Sequence, residues 1–280
     1  MTTTHPMTTP HLTDAPATPA VPGLAGEILA AYGDRAHVHD LYDPAGAPVY
    51  HDLAAADTTE IRELTRSVRA VPGTVLELAA GSGRLTLPLL ALGREVTALE
   101  LKESMVDLLR ERLAEAPAGI GARCTVVQGD MSAFDLGARF AVVVLGTTSI
   151  SLLDADGRAG LYAAVRAHLE PGGRFLFSTV DVRDDGEDLD LEATGASGRR
   201  YRMIEHWRAG QEVREVTILA PEREIPETGP VPVFTTAIRV LPPDDLAREL
   251  AAAGLRVVAR HPLPAASARH TGVLLEAEAA

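Results

Sequence analysis

Apolar runs of strand length alternate with helical periods from Val75 to Phe177. Val75-Leu76-Glu77-Leu78 reads as a short strand, and Ala79-Ala80-Gly81-Ser82-Gly83 as a turn of small residues. Leu85, Leu89 and Leu92 then recur at helical spacing, with Gly93 as a stop. Val96-Thr97-Ala98-Leu99 is a second strand, ending at Glu100, and Thr125-Val126-Val127-Gln128 a third. The unbroken run Phe140-Ala141-Val142-Val143-Val144-Leu145 predicts a strand buried on both faces. After a further helix, Pro171-Gly172-Gly173 breaks the chain and feeds Arg174-Phe175-Leu176-Phe177. Strands alternating with helices in this order predict an α/β, doubly wound, mostly parallel sheet.

The flanks follow other patterns. Residues 1–22, rich in Thr, Pro and Ala, predict a disordered tail, with His5 and His11 solvated in it. Residues 23–71 predict two helices joined by a polar stretch, and residues 72–181 hold the core. Residues 182–241 predict an antiparallel insertion that covers the core as a lid. Within it, Asp184–Glu192 reads as an acidic loop. Tyr201–His206 and Glu212–Leu219 alternate like a hairpin turning at Gly210, and Phe234–Leu241 follows as a strand. Residues 242–280 predict a helix started by Pro242-Pro243 and ended at Gly254, then strands at Arg256–Val258 and Thr271–Leu275 that complete the core sheet.

In such a sheet, ligands sit at the carboxyl ends of the strands. Gly81 and Gly83 let the backbone approach a ligand, and Glu100 falls where a carboxylate can take both hydroxyls of a ribose. Two cofactors compete for this outline. A dinucleotide fits G-x-G-x-x-G/A, but Thr86 stands third. S-adenosylmethionine, which carries an ammonium and no phosphate, suits the acidic Glu77.

The 280 residues carry a net charge of −13, with a pI near 5.1, and show no basic cluster; nucleic acid is an unlikely partner on charge grounds. No apolar run spans a membrane, and a single cysteine, Cys124, fits a reducing cytoplasm. No His/Cys/Asp group stands at metal-ligand spacing, and no G-x-S-x-G elbow suggests a hydrolase.

Val75–Leu101, Arg112–Pro117 and Val127–Phe134, with Gly160–Tyr162 through Gly173 and Ser197–Tyr201, resemble class I S-adenosylmethionine-dependent methyltransferases. Within that superfamily the likeness is to the N-methyltransferases of vancomycin-type glycopeptide biosynthesis, with daptide-type peptide methyltransferases as a related possibility. It covers most of the chain after Tyr32. Thr236 and Ala237 stand where the glycopeptide enzymes carry a basic cluster, which leaves the acceptor open.

The resemblance implies a Rossmann-like fold and S-adenosyl-L-methionine as cofactor. It implies a cofactor site of Glu77, Ala79, Gly81, Gly83, Arg84, Glu100, Leu101, Met105, Asp130, Met131 and Gly146, with Asp130 serving the adenine amino group and Arg84 the cofactor carboxylate. The acceptor it implies is a peptide or small-molecule amine, in a protein that acts without nucleic acid or membrane and forms a possible homodimer. Tyr42 and Tyr50 are the residues expected to close over the methyl group, and His206 is the candidate base. O-methylation of a small phenol and a nicotinamide-dependent oxidoreductase stay open as alternatives.

Overall fold

The computed structural model describes residues 21–280 apart from 57, 59, 118, 184, 265 and 266; most of the tail expected at 1–22 therefore lies outside the described residues. Two sheets organise the chain.

The core sheet starts with β2 (Val75–Leu78), β3 (Val96–Glu100), β4 (Cys124–Gln128) and β5 (Phe140–Leu145). It is completed by β6 (Leu169–Val182), β11 (Leu255–Pro262) and β12 (His270–Ala279). Their order is β11-β12-β6-β5-β2-β3-β4. From β6 to β4 every pairing is parallel, while β12 and β11 add on antiparallel. The chain moves outward from β2 through β3 to β4, then crosses back to β5. The carboxyl ends of β2 and β5 thus flank the point where strand order reverses, the place such sheets open a crevice.

Helices cover both faces. On one side α6 (Ala155–His168) and α7 (Pro243–Ala252) pack Leu161, Tyr162, Val165, Leu246 and Leu250 onto Leu76, Leu78, Val143, Phe175 and Phe177. On the other, α3 (Ile61–Ala70) and α4 (Thr86–Ala91) pack Leu64, Val68, Leu89 and Leu90 onto Val75, Val142, Val144 and Leu176. Beside them α5 (Glu103–Glu115) lays Leu109 against Ala98. Burial on both faces explains why β5 is apolar throughout. At the start of α6, the Asp154 side chain accepts the Gly157 N–H at 2.8 Å, a standard N-cap.

The second sheet, which contains the insertion expected as a lid and is called the lid sheet below, is β1 (Ala36–Asp40), β10 (Val231–Arg239), β9 (Val213–Leu219), β8 (Arg200–His206) and β7 (Leu189–Thr194), in that order. One face buries Ile204, Leu219, Val231 and Val233 under α1 (Gly23–Tyr32). The other turns Tyr201, Val216 and Ile218 toward Leu41 and toward Val49 of α2 (Ala47–Ala56).

Three local expectations are corrected. The segment 23–71 holds three helices and a strand rather than two helices; His37 and His39 mask β1, which pairs parallel with β10. The acidic stretch 184–192 is not all loop. Leu189, Leu191 and Ala193 point inward while Asp190, Glu192 and Thr194 stay exposed, so acidic residues supply the polar half of a strand alternation. Finally, β10 begins at Val231, and Pro232 is accommodated because β10 pairs there with β1 while its pairing with β9 starts only at Phe234. Among the described residues, no helix is long and apolar enough to cross a membrane.

Candidate active site

A cavity of about 220 Å³ lies at the carboxyl ends of β2, β3 and β4. Glu100 ends β3, is buried, and is fixed by two backbone donors: Gly81 N–H at 2.9 Å and Lys102 N–H at 2.9 Å. Each carboxylate oxygen keeps a lone pair to offer to a diol. Asp130 follows β4. Its Oδ1 accepts from the Ser132 N–H and hydroxyl at 2.8 and 2.7 Å, which orients the carboxylate at the cavity rim. Leu101 is 52 % exposed and Leu152 36 %, two of the three most exposed large apolar side chains among the described residues. Both line this cavity with Leu99, Met105 and Met131, an apolar slot suited to a flat ring beside the two carboxylates.

The backbone at the crevice is strained. Among the described residues, the non-glycine positions with positive φ are Ala79, Thr147 and Thr148, at 50°, 58° and 56°. All three follow β2 or β5 and line the cavity. Left-handed backbone at such residues costs free energy and gathers at functional sites. Gly81 (φ 56°) completes the turn with its Cα side facing the Tyr50 ring, which a Cβ would meet at 3.6 Å.

A second cavity, of about 560 Å³, lies between the lid sheet and the core. It shares Tyr42, Tyr50, Thr147, Thr148 and Ile238 with the first, so the two adjoin at these residues. The rings of Tyr42 and Tyr50 meet edge-on at 5.1 Å between centroids. Burial raises the pKa of both hydroxyls, and the neighbouring Tyr50 adds to this for Tyr42. Hydrogen bonds to Thr236 and Thr147, respectively, moderate the shifts. Both phenols therefore stay neutral: they can shape the junction and accept a hydrogen bond but are poor proton acceptors.

Not every expected site residue reaches the cavity. Tyr42, Tyr50, Ala79, Gly81, Glu100, Leu101, Met105, Asp130 and Met131 line it together. Glu77 lies just behind, 2 % exposed, and accepts the Thr86 hydroxyl at 2.6 Å. Its removal from water pushes its pKa up to about 8, with Thr86 and Arg84 pulling the other way. Gly83 and Gly146 are packing positions: a Cβ would meet Leu109 at 2.6 Å and Leu85 at 2.1 Å, respectively. Arg84, expected on a cofactor carboxylate, is buried in an ion pair with Glu60 and donates to the Thr147 hydroxyl at 2.7 Å. His206 is a correction. It points away from both cavities and bonds Asp188 at 2.9 Å, while Asp188 also accepts the Leu24 N–H that opens α1. Strand alternation puts its neighbour Glu205 on the cavity face instead.

The sequence reading missed Glu60, Glu205, Arg214 and His270, which line the larger cavity together with Thr236. Glu60 is 4 % exposed and accepts the Thr147 N–H at 2.6 Å, which pins the strained turn after β5. Glu205 and His270 come from segments 65 residues apart, and their Nε2–carboxylate contact of 3.0 Å depends on the meeting of lid and core sheets. Only the parity of β8 could have pointed to Glu205.

Comparison with known proteins agrees with this geometry. A methyltransferase domain family matches residues 75–173. The glycopeptide N-methyltransferase MtfA complexed with sinefungin is 43 % identical, over 93 % of this chain and 99 % of that one, with a TM-score of 0.68. The same enzyme complexed with S-adenosyl-L-methionine gives 41 %, 93 %, 99 % and 0.65. The CcbJ methyltransferase from Streptomyces caelestis is 27 % identical over 86 % of this chain and 98 % of that one, with a TM-score of 0.71. The dTDP-3-amino-3,4,6-trideoxy-alpha-D-glucopyranose N,N-dimethyltransferase of Streptomyces venezuelae is 33 % identical over 141 residues; the match spans 50 % of this chain and about half, 54 %, of that protein. The chain belongs to the S-adenosylmethionine-dependent methyltransferases.

Proposed function

We propose that this protein is an N-methyltransferase that methylates an amine of a peptide natural product during its biosynthesis. The observation that carries this reading is the cavity of about 560 Å³ under the second sheet, which adjoins the smaller one at Tyr42, Tyr50, Thr147 and Thr148. It is more than twice the size of the cofactor cavity and is walled by Met203, Val216, Ile218 and Ile238. A bulky acceptor with apolar side chains suits that space better than a single small phenol ring. The likeness to the glycopeptide N-methyltransferase extends over 93 % of this chain, lid included, which supports an amine of a large acceptor. A smaller amine, such as an amino sugar, is the second reading. It draws on the likeness to the sugar N,N-dimethyltransferase, which spans about half of that protein.

S-adenosylmethionine supplies a methyl group on a positively charged sulfur. The protein's part is to hold a neutral amine in line with it and to keep bulk water out. In well-aligned systems such positioning is worth up to about 7–11 kcal/mol. The edge-on Tyr42–Tyr50 pair and the pinned Thr147–Thr148 turn stand where the two cavities meet. Glu60 faces the larger cavity but is paired with Arg84, so it does not leave an open negative charge there.

The test is to incubate the protein with S-adenosylmethionine and matched peptides whose N-terminal amine is free or acetylated, and to read methylation by mass. Methylation of the free-amine peptide alone supports the reading. Methylation of a phenol or alcohol acceptor, with the amine left unmodified, contradicts it.

A further inference from the structure

The larger cavity has one strongly polar wall that methyl transfer does not use. Glu205 of β8, Arg214 of β9 and His270 of β12 face it together. Glu205 is 6 % exposed, and both its oxygens are engaged. Arg214 Nη1 donates to Oε2, His270 Nε2 lies 3.0 and 3.1 Å from the two oxygens, and Arg269 Nε stands 3.8 Å from Oε1. His270 also uses its other ring nitrogen, with Nδ1 2.9 Å from the Ser267 hydroxyl. Arg269 is buried behind this group and gives its remaining donors to the carbonyls of Glu187 and Trp207, with the exposed Asp185 3.4 Å away.

Neither Glu205 nor His270 is free to take up a ligand, because their polar atoms are already matched. Arg214 differs. It spends Nη1 on Glu205 and, among the described residues, makes no other hydrogen bond, while its side chain is 12 % exposed on the cavity wall. Glu205 and the exposed Asp185 balance the two guanidinium groups in charge, so what the wall offers is the spare N–H donors of Arg214. An arginine fork with spare donors in a partly desolvated wall is matched by a carboxylate or phosphate.

Strand register supplies a ruler. On the core side Thr148 N–H donates to the Ser178 hydroxyl at 3.0 Å, and His270 pairs with Val182. Four residues of β6 separate Ser178 from Val182, about 13 Å at 3.3 Å per residue. On the lid side Thr236, Val216 and Glu205 are adjacent on three neighbouring strands, and Thr236 bonds Tyr42. Two strand spacings make about 10 Å. Both routes separate the backbones of Glu205 and His270 from the Tyr42–Thr148 junction, whereas Arg214 pairs with Ile238, which lines both cavities.

We propose that Arg214, held in place by Glu205, which His270 also contacts, anchors an anionic group of the acceptor in the larger cavity. The acceptor is then an amine that carries a carboxylate or phosphate at its other end. This inference rests on the proposed amine methyltransferase function and adds the substrate's second handle. Arg214 sets specificity, while Glu205 and His270 are positioning residues.

The experiment uses the full-length protein saturated with S-adenosylhomocysteine and reads acceptor binding by calorimetry. The probes are tetraalanine as the free acid, tetraalanine as the C-terminal amide, and a nucleoside-diphosphate amino sugar. The free acid is expected to bind at least about tenfold tighter than the amide, as expected for a hydrogen bond to a charged group. Arg214→Gln is expected to bring that ratio near one with S-adenosylhomocysteine affinity unchanged, and Arg214→Lys to keep part of it. Under turnover, Arg214→Gln is expected to raise KM more than it lowers kcat. If only the nucleotide sugar depends on Arg214, the anion is a phosphate, and the anchor stands with its source identified. Equal binding of acid and amide by the native protein, together with a nucleotide sugar that ignores Arg214→Gln, overturns the proposal; the acid–amide comparison needs no variant to fold. Failure of the underlying function shows separately, as methylation of a phenol or alcohol acceptor with the amine left unmodified.

Discussion

Glu100, at the end of β3, accepts the backbone N–H of Gly81, in the turn after β2, at 2.9 Å. The bond locks two neighbouring strand ends together and aims a buried carboxylate across the cofactor cavity. Glu100→Ala is expected to weaken S-adenosylhomocysteine binding by about 1.5–3 kcal/mol, the scale of hydrogen bonds to a charged group. Glu100→Gln, which retains one acceptor for Gly81, is expected to lose less. Calorimetry on folded variants checks both, and undiminished affinity in Glu100→Ala would remove the carboxylate from the site.

In the proposed reaction we expect Tyr42 and Tyr50 to act through ring position rather than proton transfer, since burial keeps both hydroxyls protonated. Phe at either position is expected to retain kcat within about tenfold with no shift in the pH profile. Ala is expected to cost about a hundredfold, the penalty of a reactant misplaced by roughly 1 Å. A tyrosine-dependent limb in the pH–rate profile would show that a phenolate takes part.

Glu77 makes the unliganded fold sensitive to pH. Burial lifts its pKa from 4.5 to about 8, so the folded state holds a proton that the unfolded state releases. The folded state's advantage is complete below about pH 4.5 and is lost as pH rises toward 8, at up to about 1.4 kcal/mol per unit. The lowered carboxylates Glu205 and Glu249 act in the opposite sense and at lower pH, below about 4.5. Glu77→Gln is therefore expected to flatten stability between pH 5 and 8, as read by chemical denaturation at several pH values. Parallel curves for the two proteins would contradict this.

Gly146 links packing to the site. A Cβ there would meet Leu85 at 2.1 Å and the Glu60 carboxylate at 2.8 Å. Gly146→Ala is expected to cost about 1–3 kcal/mol of stability, the usual price of overpacking. It would also disturb the Glu60 carboxylate that holds the Thr147 N–H. A thermal melt together with a kcat measurement would show both effects, and a variant as stable as the native protein would mean that Glu60 yields freely.

Much of the smaller cavity's lining was legible because its residues are local. The strand Val75–Leu78, the small-residue turn and the carboxylates Glu100 and Asp130 lie within 56 residues, in the order the fold demands. Orientation was harder to read. Glu77 and Gly83 sit in the same motif as Ala79 and Gly81, yet one is buried against Thr86 and the other against Leu109. The acceptor side was mostly hidden, because it forms where two sheets meet. His206 carries a suggestive side chain on the wrong face of β8, whereas Glu205 gains its role only from Arg214 and His270, 9 and 65 residues away. The strand Ala36–Asp40 was lost for a related reason: its partner, β10, lies nearly 200 residues on.

The most direct test is calorimetric titration of the purified protein with S-adenosylhomocysteine, with NAD as the comparison. Binding in the micromolar range by S-adenosylhomocysteine, weakened in Glu100→Ala, and none by NAD is the expected result. Binding of NAD alone, or S-adenosylhomocysteine affinity indifferent to Glu100, would contradict the assignment of this cavity as the cofactor site.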